Sequence, residues 1–163
     1  MTRPVAINHV AAVVPDIEAA IEWYQDVMGF NLISGPHDLK PDAPSGAQVV
    51  DCLGKAIKHL RIAHMGTANG VGLELFQPID PPFEHRPNMV EFWRSGFFHI
   101  CVTDPDVEDL AARIVETGGQ RLSDYWPERL PKTEYRMCYC ADPFGNVVEI
   151  HSHMYETMVA HKD

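Results

Sequence analysis

The sequence is poor in positive charge and in long apolar runs. Its 163 residues include 13 Lys and Arg against 23 Asp and Glu, which gives a formal net charge of −10. Nucleic-acid-binding proteins gain affinity from clustered Lys and Arg, so we expect no nucleic-acid partner. No apolar run reaches the about 18 residues that a membrane helix needs, and the amino terminus lacks the apolar segment of a secretory leader. We therefore expect a cytoplasmic protein with no membrane partner.

Cysteine is also scarce. The chain has four cysteines, Cys52, Cys101, Cys138 and Cys140, and they form no Cys-x-x-Cys set. This spacing argues against a structural zinc site and against a secreted disulfide framework. We expect reduced, mostly buried thiols. Cys101 lies two residues after His99 and so on the same strand face, where it would line a pocket without taking part in chemistry.

One motif occurs twice in the chain. Residues 9–18 read HVAAVVPDIE and residues 99–108 read HICVTDPDVE, with His, Pro, Asp and Glu recurring at an offset of 99 − 9 = 90 residues. A repeated motif indicates a repeated structural unit. A half of about 80 residues would be marginally stable alone, so we expect the two halves to share a core or a cleft.

Both halves predict the element order β-α-β-β-β. In the first half, Asp16 caps a helix over 17–28 that ends at Gly29, a Pro/Gly-rich loop covers 35–46, and Asn69-Gly70 forms a hairpin turn. The predicted strands of this half cover 6–14, 30–33, 56–65 and 72–77. The second half predicts strands over 97–103, 120–123, 135–140 and 147–152, a helix over 106–117 and a loop over 124–134.

These elements predict a single unit, 1–163, with four parts. The first module covers 5–78 and the second covers 97–153. A connector, 79–96, contains a short helix-like stretch over 88–94. The tail, 154–163, carries signals for a short helix at most.

A carboxylate lies inside an apolar strand late in each half. Glu74 lies between Leu73 and Leu75, and Glu149 lies between Val148 and Ile150. A lone strand His or Glu is usually structural, but the same two residue types recur at matching places in both copies, which favours a shared metal site. Nitrogen and oxygen donors without a thiolate suit Mn, Fe, Co, Ni or Zn. Four such ligands would leave two positions of an octahedron for a chelating substrate.

Two modules of this order, each with a His on its first strand and a Glu on its last, resemble the vicinal oxygen chelate superfamily. This superfamily includes glyoxalase I, methylmalonyl-CoA epimerase, extradiol dioxygenases and antibiotic-resistance proteins. The resemblance covers nearly the whole chain. Its most specific pieces are the two His frames, Leu73-Glu74-Leu75 and Tyr139-x-x-Asp142-Pro143-x-Gly145-Asn146-x-x-Glu149.

The resemblance implies an α+β fold in which two tandem βαβββ modules form an incomplete barrel around a metal site. Residue by residue, it implies His9, Glu74, His99 and Glu149 as ligands of one divalent metal per chain, either Ni, Co, Mn, Zn or Fe. Members of the superfamily are often dimers, so we expect a homodimer.

The function that the resemblance implies is that of a metal-dependent isomerase, epimerase or lyase. Such an enzyme would act on a small carbonyl or thioester substrate through a metal-stabilised enolate. One Glu, released from the metal, would remove the α-proton, and we favour Glu149 over Glu74. A Glu at position 74 is associated with glyoxalase I, whereas the epimerases often carry Gln there.

Two other functions are open. An Fe(II) extradiol-type dioxygenase needs two His and one carboxylate, but its signature has a His where this chain has Pro131, Lys132 and Thr133. A non-enzymatic protein resembling the bleomycin-resistance members would trap a ligand in an aromatic-lined cleft and would not need four metal ligands.

The remaining strand histidines are secondary candidates. His59 and His64 have opposite parity on one strand, so at most one can face the cleft. His151 and His153 follow Glu149 on its face and could contact the ligands or the substrate. For these two we favour the simpler interpretation, an exposed strand end.

Overall fold

The computed structural model describes residues 2–127 and 135–160. The chain divides into two compact units, Met1–Glu84 and His85–Asp163. The predicted connector, 79–96, spans this boundary, and the module limits given by the sequence stay a prediction. Among the described residues, no helix has the length and apolar character required to cross a bilayer.

The first unit contains one four-stranded sheet and two helices. Its elements are β1 (His9–Val13), α1 (Ile17–Met28), β2 (Asn31–Leu39), α2 (Gly46–Leu53), β3 (His59–Gly66) and β4 (Gly72–Asp80). The strand order is β1-β4-β3-β2. β1 runs parallel to β4, and the other neighbours are antiparallel.

Helix α1 has the predicted bounds because both of its ends are encoded locally. The Asp16 side chain accepts a hydrogen bond from the backbone N–H of Ala19, and Gly29 adopts a left-handed conformation with φ of 67°. Both arrangements satisfy backbone groups that a helix end would leave unpaired. The helix buries Ile17, Tyr24 and neighbouring apolar side chains.

The predicted loop over 35–46 is wrong in part. β2 continues to Leu39, past a register shift between Ser34 and His37. An edge strand tolerates Pro36, which cannot donate a ladder hydrogen bond. Helix α2 was not predicted. Its Val49 is buried in a cluster with Ile57 and Leu60, a contact with residues outside the helix that local patterning does not reveal.

The second unit repeats the strand order of the first. Its elements are β5 (His99–Thr103), α3 (Val107–Glu116), β6 (Gln120–Arg121), β7 (Met137–Ala141), β8 (Val147–His151) and α4 (Tyr155–Val159). The strand order is β5-β8-β7-β6, with β5 parallel to β8. The predicted α+β class is confirmed as two four-stranded mixed sheets. Neither sheet closes on itself within the described residues.

The predicted helix-like stretch over 88–94 is wrong. These residues form turns and irregular backbone. The Asn88 side chain donates to Glu91, and the Arg94 backbone N–H bonds the Glu91 carbonyl, so local turn contacts replace helix contacts. The tail carries the short helix α4. Of the predicted loop 124–134, residues 128–134 lie outside the described residues, as do Pro131, Lys132 and Thr133.

The alternation of side chains along a strand determines which face of the sheet Glu74 and Glu149 occupy. Leu73 and Leu75 are buried, and so are Val148 and Ile150. Burying an aliphatic side chain of this size stabilises the fold by about 1.5–3 kcal/mol. Because successive side chains point to opposite faces of a sheet, the burial of these neighbours directs each Glu to the other face.

The prediction of mostly buried thiols is wrong in part. All four cysteines are reduced, but only Cys138 and Cys140 are buried, whereas Cys52 and Cys101 are exposed. The hydrogen bond between the two buried thiols, together with burial, raises the pKa of Cys138.

Candidate metal centre

The first unit brings His9 close to Glu74. Their strands are parallel neighbours, with His9 beside Gly72 and Ala11 beside Glu74, so the two side chains share one sheet face. The His9 Nε2 lies 3.6 Å from the Glu74 Oε2. A Cβ at position 72 would approach the His9 Cβ to 3.1 Å, so the glycine leaves room for the imidazole.

His64 is a second imidazole beside the same carboxylate. It is the direct cross-strand partner of Glu74, and its Nε2 lies 3.5 Å from the Glu74 Oε1. The hairpin turn predicted at Asn69 could have located His64. Asn69 lies 69 − 64 = 5 residues after His64 and 74 − 69 = 5 residues before Glu74, so a hairpin centred on Asn69 places these two residues opposite each other. His59 instead bonds Asp38, and this contact lowers the pKa of the Asp38 carboxyl. Of the two histidines, only His64 lies beside Glu74, in line with their opposite parity on the strand.

The second unit brings His99 close to Glu149. The His99 Nε2 lies 3.2 Å from the Glu149 Oε2, and the Glu149 side chain is 11% exposed. Tyr139 is the direct cross-strand partner of Glu149, as His64 is of Glu74. The Tyr139 hydroxyl donates a hydrogen bond to the Glu149 carboxylate.

The predicted exposed strand end is wrong for His151. Its side chain is only 6% exposed, and its Nε2 lies 3.2 Å from the Glu149 Oε1. This contact lacks the angles of a hydrogen bond, so neither ring nitrogen of His151 has a hydrogen-bond partner. His153 bonds the Ser152 hydroxyl and packs edge-on against Tyr135 instead.

The environment of Glu149 favours its ionised form. Burial alone would raise the pKa of this carboxyl. The contact with His151, the hydrogen bond from Tyr139 and the nearby His99 outweigh burial, so the pKa of Glu149 is lowered. A carboxylate that is ionised at neutral pH is a suitable ligand for a cation.

The residues of both units fit a divalent metal. The Nε2 atoms of His9 and His99 lie 3.6 and 3.2 Å from a carboxylate oxygen, so each unit brings a nitrogen and an oxygen donor together. Imidazole and carboxylate donors suit the first-row divalent metals. The structure pairs His9 with Glu74 and His99 with Glu149, each within its own unit. The ligand role of these four residues stays a prediction.

Comparisons with known proteins found similar sequences and similar folds. The chain is 29% identical over 150 residues to a 2-epi-5-epi-valiolone epimerase from an Actinomyces species, a match that covers 90% of this chain and 78% of that protein. A glyoxalase family protein from Bacillus cereus has 21% identity and a TM-score of 0.72, over 92% of this chain and 95% of that one.

A third similar protein carries a metal. It is a mutant of the genomically encoded fosfomycin resistance protein from Listeria monocytogenes, complexed with Mn(II) and 1S,2S-dihydroxypropylphosphonic acid. It has 14% identity and a TM-score of 0.59, over 97% of this chain and 98% of that one. At these identities the two structural matches show the fold alone.

A family model gives the broader assignment. The model of the Glyoxalase/Bleomycin resistance protein/Dioxygenase superfamily matches residues 6–150. This range includes both His–Glu pairs and nearly all of the two sheets. The chain belongs to this superfamily.

Proposed function

We propose that this protein is a divalent-metal-dependent isomerase or lyase, and within that class an epimerase. One observation carries the proposal. A His–Glu pair recurs at the same place in both units, with nitrogen–oxygen distances of 3.6 and 3.2 Å. Membership in a superfamily that includes metalloenzymes supports it, and the relative named as an epimerase favours epimerisation over a lyase reaction.

The metal ligands of this proposal are His9, Glu74, His99 and Glu149. They would hold one ion per chain, and Ni, Co, Mn, Zn and Fe all suit this donor set. When bound, the ion supplies a Lewis acid that withdraws electron density from a substrate carbonyl and so acidifies the adjacent C–H. The substrate class is a small carbonyl compound or a thioester.

The two glutamates have different roles in this proposal. Glu149 is contacted by His99, Tyr139 and His151, which hold its carboxylate in place. Glu74 has a side chain that is 21% exposed and longer contacts, at 3.5 and 3.6 Å. A general base must reach the substrate proton. These contacts favour Glu74 as the base, although the sequence analysis favours Glu149.

Proton exchange at the substrate carbon tests the proposed reaction. Metal-loaded protein would be incubated in D₂O with a panel of α-hydroxy ketones, 2-epi-5-epi-valiolone among them, and with acyl thioesters. We expect deuterium to enter at the carbon next to the carbonyl, with inversion of that centre for the true substrate. Metal-stripped protein and the His9→Ala variant serve as controls. Exchange at equal rates in protein and controls would contradict the proposal.

An Fe(II) dioxygenase is the second candidate. His9 and His64 both lie within 3.6 Å of Glu74, which makes a two-His, one-carboxylate set inside one unit. Non-haem iron oxygenases use such a set. Stoichiometric iron in the isolated protein, together with oxygen consumption on a catechol, would favour this function over epimerisation.

A further inference from the structure

Besides carrying Tyr139 where the first unit carries His64, the second unit differs from the first at two further positions beside its carboxylate. Ala11 is the strand partner of Glu74, whereas Cys101 is the strand partner of Glu149. The offset between the two carboxylates is 149 − 74 = 75 residues. At the same offset, Phe76 corresponds to His151. The second unit therefore carries a thiol and an imidazole where the first carries a methyl group and a phenyl ring.

These two groups lie close to Glu149 and to each other. One ligand atom from each of Cys101, Glu149 and His151 lies within 4.8 Å of the other two. A tetrahedral zinc ion separates its ligand atoms by roughly 3.5 Å. Small side-chain rotations would bring the three donors to such an ion. All three residues belong to one unit, on the neighbouring strands β5 and β8.

The state of His151 indicates that a ligand is expected here. Its side chain is more than nine-tenths buried, and neither ring nitrogen has a hydrogen-bond partner. Buried polar groups in native proteins are nearly always hydrogen-bonded, so a buried imidazole with a carboxylate contact but no hydrogen bond at either nitrogen needs an explanation. Its Nε2 is directed toward Glu149, at 3.2 Å from the Oε1. A cation held between the two groups would supply the partner.

We propose that Cys101, Glu149 and His151 form a binding site for a thiophilic divalent cation such as Zn²⁺. A thiolate, an imidazole and a carboxylate together select zinc over Mn²⁺ or Mg²⁺, which prefer oxygen donors. The exposed Cys101 thiol gives the cation access, and its proton passes to solvent when the sulfur binds. Three protein donors leave one tetrahedral position open.

The site does not require the metal centre of the proposed function, because it needs neither His9 nor Glu74. It does share Glu149 with that centre. Zinc bound by Cys101 and His151 would therefore withdraw one ligand from the other ion. We expect Zn²⁺ to inhibit the activity that Mn²⁺ or another hard cation supports.

Cobalt spectroscopy on the full-length chain tests the site. Metal-stripped protein would be titrated with Co²⁺, because a cobalt–thiolate bond absorbs in the near ultraviolet and an imidazole or carboxylate bond does not. We expect this absorption in the wild type and its displacement by Zn²⁺. Cys101→Ala, which installs the residue of the first unit, should abolish it. The matched thiol control is Cys52→Ser, which should leave it unchanged.

Two further variants separate this site from the proposed function. His151→Phe, again the residue of the first unit, should weaken Zn²⁺ binding at least tenfold while thermal unfolding reports that the fold is kept. His9→Ala should remove Mn²⁺ binding and keep the cobalt–thiolate absorption. The proposal is overturned if the wild type binds Co²⁺ without that absorption, or if the absorption survives in Cys101→Ala.

Discussion

At the scale of single residues, the two carboxylates show how the same side chain takes different properties from its surroundings. Glu149 is 8% exposed and lies among His99, Tyr139 and His151. Glu74 is more exposed and lies beside His9 and His64 at longer distances. Fixed ligands bind metals more tightly than mobile ones, because less ordering is needed on binding.

The Glu→Gln pair of variants tests this difference. We expect Glu149→Gln to weaken Mn²⁺ binding by at least about 10- to 100-fold, the loss found when a residue that only supports a metal ligand is removed. Glu74→Gln should weaken binding less and should reduce proton exchange more. Isothermal titration with Mn²⁺ and the D₂O exchange rate measure the two effects. Equal losses of affinity in both variants would contradict the assignment of different roles.

The sequence pattern identified some residues of the candidate site and not others. The motif repeat pointed to His9 and His99, and strand patterning pointed to Glu74 and Glu149. The position of His64 follows from the hairpin register set at Asn69, whereas the burial of His151 depends on packing that the sequence pattern does not reveal. Neither histidine belongs to the repeated motif, so the repeat gives no signal for them.

At the scale of secondary-structure elements, the sequence predicted those that depend on local contacts and missed those that depend on distant ones. Helix α1 ends at local caps, Asp16 and Gly29, and its bounds were predicted correctly. Helix α2 depends on packing between Val49 and the later residues Ile57 and Leu60, and it was missed. The segment 88–94 has a helix-like pattern, but side-chain contacts around Glu91 hold it in turns. Local signals locate an element only when no distant contact overrides them.

Arg61 links helix α1 to the first sheet. Its Nη1 donates to the Glu18 Oε2 at 2.8 Å and to the Gln77 Oε1 at 3.1 Å. The Gln77 amide in turn donates to the Pro15 carbonyl at 2.8 Å. The hydrogen bond from Arg61 lowers the pKa of Glu18. This network ties the start of α1 to strands β3 and β4, which carry His64 and Glu74.

Glu18→Gln tests the link through its pH dependence. The Glu18 side chain is 56% exposed, so we expect a loss of only about 0.2–1 kcal/mol in the free energy of unfolding at pH 7. A carboxyl with a lowered folded-state pKa stabilises the fold above its unfolded pKa and loses that effect as pH falls through the folded pKa. The difference between variant and wild type should therefore vanish at strongly acidic pH.

Urea unfolding at several pH values measures this difference. Glu22→Gln is the matched control, since Glu22 is exposed on the same helix. It should change stability little at any pH. A stability loss in Glu18→Gln that persists at strongly acidic pH would show that the ion pair is not its cause.

At the scale of the whole molecule, duplication is the main feature. Each unit has a parallel pair of strands that carries a His–Glu pair, on a sheet with the same strand order. The sequence predicted this repetition and the α+β class. The homodimer stays a prediction, with large apolar side chains such as Ile7, Trp93 and Phe97 exposed in the single chain. Extensive apolar exposure is typical of proteins that associate.

The central proposal is that His9, Glu74, His99 and Glu149 hold one metal ion. Elemental mass spectrometry on untagged protein tests it most directly, with the wild type beside Glu74→Gln from the first unit and His99→Ala from the second. We expect about one divalent ion per chain in the wild type, a large loss of metal in His99→Ala and a smaller loss in Glu74→Gln. A wild type that binds no metal after incubation with excess divalent ions would contradict the claim and favour a ligand-trapping protein. Full metal retention in either variant would contradict it too.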